Sequence, residues 1–323
     1  MESSWLKGLL TISTETIKII PKIPTLITRV TILILVFNSS IYFVSLGFLR
    51  LLINSFQSLA IDPTNIDRIG KSLASIIVYE LIVAVIVSLS SLFVAASAIL
   101  VSAMALGGKQ PTTTVKGLFF RVIRAWKGPL VTWAYTTLFL LGFMCVLFLI
   151  AYPFTLVFLS SPRILSITMN MFAVLGLVLY SYLLVGLSLG MVGSVVEGEI
   201  CCGLEVIGKA ARIGKGMELH GFVVNLLFGL VGWGLLKSLV WVGFRLPGVG
   251  QMASPVGLAG LEWPTSGQIF LGLVVVNLFC LLKILWWMTY CVMFYEGMKR
   301  HGEEVVELVE DLDYTKVPSV NMV

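Results

Sequence analysis

The sequence predicts an all-α polytopic membrane protein with about six transmembrane helices and amphipathic interfacial helices between the hairpins. Three observations predict it. Residues 30–49, 81–108, 128–162 and 164–196 carry no charge, and shorter apolar runs follow at 221–236 and, interrupted only by Lys283, at 263–295. A helix needs about 20 mostly apolar residues to cross a bilayer core, so the first four runs suffice outright. Composition agrees: 58% of residues are hydrophobic and 12% charged, half the roughly 25% with which a soluble domain clothes its surface; mean hydropathy is +1.00. Finally, the basic residues gather between the runs in an alternating pattern, as they do when one set of loops faces the cytoplasm.

Each element follows in order. Residues 1–29 read as a cytoplasmic amphipathic tail, in which Leu6, Leu9, Leu10, Ile17 and Ile20 form part of an apolar stripe beside Lys7 and Lys18. Pro21 and Pro24 are expected to break that helix. The first apolar run begins at Val30, too late and too long for a cleaved leader, and should remain as the first span. The expected spans are 30–50, 78–104, 130–152, 168–193, 221–243 and 268–292, all helical because lipid offers the backbone no partners outside its own segment. Residues 30–295 would form the six-helix domain, and 296–323 an acidic cytoplasmic tail. The connections at 51–77, 153–167 and 244–267 should lie on the non-cytoplasmic side. Counted this way, 15 Lys and Arg lie on the side of the termini and 6 on the other, with Lys283 inside a span. Both termini are therefore expected in the cytoplasm of a multi-pass protein.

The connections carry an internal repeat. Arg121-x-x-Arg124-x-x-Lys127-Gly128 recurs as Lys209-x-x-Arg212-x-x-Lys215-Gly216, each copy directly before a span. Val115, Leu118, Phe119, Val122, Ile123 and Trp126 give the first copy a helical stripe; Val206, Ile207, Ala210, Ala211 and Gly214 give the second a smaller one in the same phase. The repeat would cover about 112–196 and 200–295, and the N-terminal tail can be read as a third copy. A helix with an apolar stripe and a basic flank lies in the membrane interface. Arg121, Arg124, Lys127, Lys209, Arg212 and Lys215 are accordingly candidates for binding anionic headgroups, each contributing about 1 kcal/mol near the surface.

The segment Gly193-Ser194-Val195-Val196-Glu197, followed by Gly203-Leu204, Lys209, Arg212 and Lys215-Gly216, resembles a pattern in a plant family of polytopic membrane proteins of unknown function. That family is distantly similar to the bacterial membrane domain found beside glycerophosphodiester phosphodiesterases. The resemblance covers about residues 190–235, and the sequence departs from it at Cys201-Cys202 and Gly208. It implies six helices with interfacial helices between hairpins and no established activity. The phosphodiesterase chemistry belongs to a separate domain, for which the spans leave no room in these residues.

Chemistry-bearing residues are sparse. The two histidines, His220 and His301, stand without a cluster of partners in sequence, and there is no P-loop, G-x-S-x-G or H-E-x-x-H pattern. No catalytic site, metal, cofactor or nucleic-acid partner is expected. Lys283 is the intramembrane charge, a default suspect for function, with a snorkelling lysine as the plainer expectation. Cys201 and Cys202 adjoin a cytoplasmic interfacial helix, where reversible palmitoylation occurs. Residues 303–313 alternate acidic and aliphatic side chains, which suits docking on a protein partner or on the basic loops. Asn38-Ser39-Ser40 fits the glycosylation pattern but lies inside a span.

These features lead to a non-enzymatic membrane protein that organises lipids or partner proteins at the cytoplasmic surface. The alternative is a small-solute or lipid transporter or channel. The discriminating feature is a water-accessible cavity lined by Lys283, Asn38, Asn225 or Asn277.

Overall fold

The computed structural model of the chain describes residues 2–22, 24–61, 66–107, 117, 120, 122, 126–157, 162–196, 203–243 and 265–302. Among them the regular structure is entirely helical. Among the described residues eight helices follow one another, α1 (Glu2–Lys22), α2 (Pro24–Ile61), α3 (Ile66–Leu106), α4 (Lys127–Val157), α5 (Pro162–Val196), α6 (Leu204–Ile213), α7 (Glu218–Gly243) and α8 (Ser266–Arg300). Six contain segments long and apolar enough to cross a membrane: Pro24–Phe48, Ile77–Leu106, Lys127–Thr155, Ile167–Val196, Glu218–Ser238 and Ser266–Arg300. The protein is thus an all-α, multi-pass membrane protein, and its spans coincide with the long apolar runs.

Several boundaries differ from the sequence reading; the expected connection 153–167 is mostly helix, with α4 running to Val157 and α5 starting at Pro162, and four others have a local reason. Pro21 does not break α1 but sits in its last turn. Pro24 opens α2, where its fixed φ suits the first helical position and its missing N–H is no loss; the first span therefore starts six residues before Val30. Much of the expected loop 51–77 is helix, because α2 runs on to Ile61 and α3 resumes at Ile66. The stretch from Leu51 to Ile61 contains neither Gly nor Pro, so nothing in it stops a helix once begun. Finally, α8 continues past residue 295 to Arg300 and ends with Lys299 and Arg300 in its last turn, where cations complement the helix dipole.

The chain divides into two compact units: one of residues 1–27, 95–227 and 285–323, the other of residues 28–94 and 228–284. The first unit holds a dense core. Ile99, Ser102 and Ala103 of α3, Leu189, Val192 and Val195 of α5, Val206, Ala210 and Ile213 of α6, and Tyr290, Phe294 and Met298 of α8 are all buried. Glycine permits this density. A Cβ at Gly193 would lie 2.9 Å from Val206 and 3.4 Å from Phe294, and one at Gly297 would lie 2.9 Å from the carbonyl oxygen of Ile213. Small residues thus let α6 approach both α5 and α8, as in helix packing within lipid. Gly203, at φ +71°, starts α6 and donates its N–H to the buried Thr132 hydroxyl of α4 at 3.2 Å.

The second unit joins parts of α2, α3, α7 and α8. Tyr79 of α3 donates to the Ser45 carbonyl of α2 at 3.3 Å and its ring packs on Phe48 with centroids 4.7 Å apart. Along α2, Asn38, Ser39 and Tyr42 meet Val276, Asn277 and Ile269 of α8, an antiparallel ladder of polar contacts. Many large apolar side chains in both units are exposed, among them Leu138, Phe148 and Leu149 on α4 and Met171 on α5, the surface that a lipid-facing helix presents.

Candidate functional site

The second unit contains a cleft of about 280 Å³. Asn38 of α2, Val87, Ser90, Ser91 and Val94 of α3, Leu235 and Leu236 of α7, and Val275, Val276, Phe279, Cys280 and Lys283 of α8 line it. Apolar residues form most of the wall, and the polar groups that enter it do so on single turns of α2, α3 and α8.

Helix register brings these polar groups to one depth. Lys283 stands midway along the 35 residues of α8, about 25 Å by helix rise from either end. Ser91 lies at the middle of the span Ile77–Leu106, and Asn38 near the middle of Pro24–Phe48. The Lys283 amine donates a short hydrogen bond to the Ser91 hydroxyl. The amine is thus held by a hydroxyl of the neighbouring helix α3. An ammonium has three N–H donors, and Ser91 accepts one; among the described residues no second acceptor for Lys283 stands within hydrogen-bond distance. No carboxylate lines the cleft.

The wall beside Lys283 is braced by the α2–α8 ladder. Asn38 Nδ2 donates to the Val276 carbonyl at 3.4 Å. Ser39 Oγ and the Asn277 amide exchange hydrogen bonds at 3.3 and 3.1 Å, and Tyr42 donates to the Ile269 carbonyl at 3.2 Å. One turn on, Gly272 leaves room for the Tyr42 hydroxyl, which a Cβ there would strike. Asn277 therefore supports the cleft from behind. On α7, a Cβ at Gly232 would stand in ordinary contact with Phe279 at 3.5 Å, and Leu235 and Leu236 of the same helix close the opposite side.

Asn225 has a different part. It belongs to the first unit, where its Nδ2 donates to the Ser181 carbonyl at 2.9 Å. Its Oδ1 accepts from Trp286 Nε1 at 3.1 Å and from the Tyr290 hydroxyl at 2.7 Å. An asparagine whose acceptor and donor are both engaged by residues of two other helices is a packing tie, with little left to offer a ligand.

The headgroup candidates fall into two groups. Arg121, Arg124, Cys201 and Cys202 lie outside the described residues, as does the acidic stretch 303–313. Lys127 is exposed at the start of α4, Arg212 and Lys215 are exposed at the end of α6, and Lys209 is half-buried. In the second copy of the repeat, Val206, Ala210 and Gly214 are buried and Ile207 half-buried, whereas Ala211 is exposed. Gly190 and Gly193 of α5 receive that face, so its apolar stripe meets protein. Of the first copy, Val122 is buried and Trp126 is exposed. On α1 Ile12, Thr16 and Ile19 are buried, and Ile17 of the expected stripe is 65% exposed; the burial of Leu6, Leu9, Leu10 and Ile20 lies outside what the structure describes.

Sequence reading singled out Lys283 and Asn38 but missed Ser90 and Ser91. Their signal is faint: Ser88, Ser90 and Ser91 are the polar residues of an otherwise aliphatic stretch, and small hydroxyls are common in spans. Among the described residues no group of three or more His, Cys, Asp or Glu is placed to hold a metal ion. No family model, no curated protein and no solved structure matches this chain.

Proposed function

We propose that the protein is a non-enzymatic carrier or channel that admits a small solute or lipid to the cleft around Lys283. One observation supports this above the others: a lysine at the midpoint of a span opens into a cavity, with Asn38 and Ser91 at the same depth and no carboxylate beside it. Placing a lysine at a helix centre costs about 2.5–3.5 kcal/mol on insertion scales. A single hydroxyl contact of ~1 kcal/mol does not offset that, so the residue is better explained by what it binds than by what it holds together. Polar groups near the middle of spans are where carriers place their sites.

A second reading, organisation of anionic lipid at the cytoplasmic surface, rests on a separate feature. Lys127, Arg212, Lys215, Lys299 and Arg300 are all exposed and all belong to the first unit. In this reading these cations face the cytoplasmic headgroups and both termini are cytoplasmic, as the loop charges favour. The two readings are compatible, since one concerns the rim of one unit and the other the interior of the other.

Reconstitution tests the first. Liposomes containing the purified protein should pass a labelled solute or exchange a labelled lipid between leaflets, and Lys283→Met should lower that flux at least about tenfold. Wild-type liposomes as tight as empty ones to both solutes and lipids would refute it.

A further inference from the structure

The composition of the cleft narrows what can occupy it. Three requirements emerge from the lining residues. The occupant must bring negative charge, because the Lys283 amine has donors left over from its bond to Ser91 and no Asp or Glu from α2, α3, α7 or α8 enters the cleft. That charge must be small. One amine, one amide and two serine hydroxyls, of which Ser90's is donated to the Val87 carbonyl, are a set that balances a single carboxylate, whereas a phosphate monoester brings about −1.5 to −2 and is normally held by several cations or backbone amides. The remainder must be apolar and slender, since Val94 and Val275 form the buried wall and the volume of about 280 Å³ falls just below the range of about 300–1,000 Å³ usual for small-molecule sites. A two-chain phospholipid does not meet that limit.

The route of entry agrees. Val87, Leu236 and Phe279 at the cleft are 46%, 52% and 47% exposed; the outward residues near them are mostly apolar (Ile86, Leu89, Leu278, Trp233), with Lys237 exposed beside Leu236 and resting over the Trp233 ring. Such a wall is open to hydrocarbon, so a ligand already dissolved in the membrane can slide in sideways with its chain against these three residues. An occupant of this kind meets apolar surface along its length and polar groups only at one end.

We propose that the cleft binds a single-chain amphiphilic monocarboxylate drawn from the membrane, with its carboxylate on the Lys283 amine beside Ser91 and its chain along Val94, Val275 and Phe279. This rests on reading the cleft as a ligand site. It extends that reading by fixing the charge, the headgroup and the number of chains.

The experiment is direct binding of radiolabelled dodecanoate to the full chain in nanodiscs of zwitterionic lipid. Unlabelled dodecanoate, dodecanol, dodecylammonium and dodecyl phosphate, which share a tail and differ in headgroup, serve as competitors. Saturable binding displaced by dodecanoate at least about tenfold better than by the other three is expected. Lys283→Met should weaken binding by at least about tenfold, the loss expected for a hydrogen bond to a charged group. Ser91→Ala, which keeps the charge, should weaken it about fivefold. Ser91→Ala also keeps the test decisive should Lys283→Met fail to fold. Equal displacement by dodecanol would overturn the role of charge. Better displacement by dodecyl phosphate would overturn the carboxylate assignment while leaving a ligand site at Lys283 intact. Absence of saturable binding, or binding unchanged in both variants, would overturn the proposal. Liposome flux that still depended on Lys283 would then show that the cleft serves another ligand.

Discussion

The two units use polar and small residues to opposite ends. In the first, glycines at 193 and 297 bring α6 against α5 and α8, and the Asn225 side chain is taken up by Ser181, Trp286 and Tyr290. Hydrogen-bonding capacity and space are both consumed by packing. In the second, the Asn38–Tyr42 ladder on α8 braces a cavity in which an amine keeps donors to spare. The lesson is that a polar residue in a span is informative through its satisfaction. Asn225 and Lys283 look alike as exceptions in apolar runs, yet only one faces room for something else.

Substitutions can break or sharpen that contrast. The largest effect is expected for Gly297→Leu, whose side chain would collide with the Ile213 carbonyl. Overpacking of this sort costs about 3 kcal/mol, and scanning of thermal unfolding in detergent should show a marked drop or loss of the folded protein. Lys283→Met should do the reverse, stabilising the protein by about 2 kcal/mol in chemical unfolding, the insertion cost of a central lysine less its contact with Ser91. Asn225→Leu would leave the Trp286 indole, the Tyr290 hydroxyl and the Ser181 carbonyl without their partner; destabilisation of about 2 kcal/mol follows. If Asn225→Leu were neutral and Lys283→Met destabilising, the roles assigned to the two regions would be exchanged. The smallest change is Ser39→Ala, which removes one link of the α2–α8 ladder and should cost about 0.6 kcal/mol, the average for such bonds between membrane helices.

Much of the fold is legible in the sequence, because a bilayer imposes a length and an apolarity that soluble proteins need not meet. All six spans lie on the long apolar runs, the last of them interrupted by Lys283. What escaped were helix ends. Hydropathy marks where lipid stops, not where the helix stops, so it cannot find the extension of α2 to Ile61 or the start of α3 at Ile66. The partners of the amphipathic stripes were harder to foresee. Apolar spacing on α6 identified Val206 and Ala210 as a face to be covered, but whether protein or lipid covers it depends on Gly193 at the end of α5 and on Gly297 of α8, far away in sequence. The cleft was half legible. A lysine in an apolar run attracts notice by charge alone, whereas Ser91 gains meaning only through the register that sets α3 beside α8.

The central claim is that Lys283 is kept for a ligand and at some cost to the fold. Chemical unfolding of the wild type and of Lys283→Met, each in nanodiscs with and without dodecanoate, tests it most directly. Without ligand the variant should be the more stable of the two. Dodecanoate at about 100 times its dissociation constant should add roughly 2.7 kcal/mol to the wild type and nothing to the variant. A variant that is less stable than the wild type, and that gains as much from dodecanoate, would contradict the account.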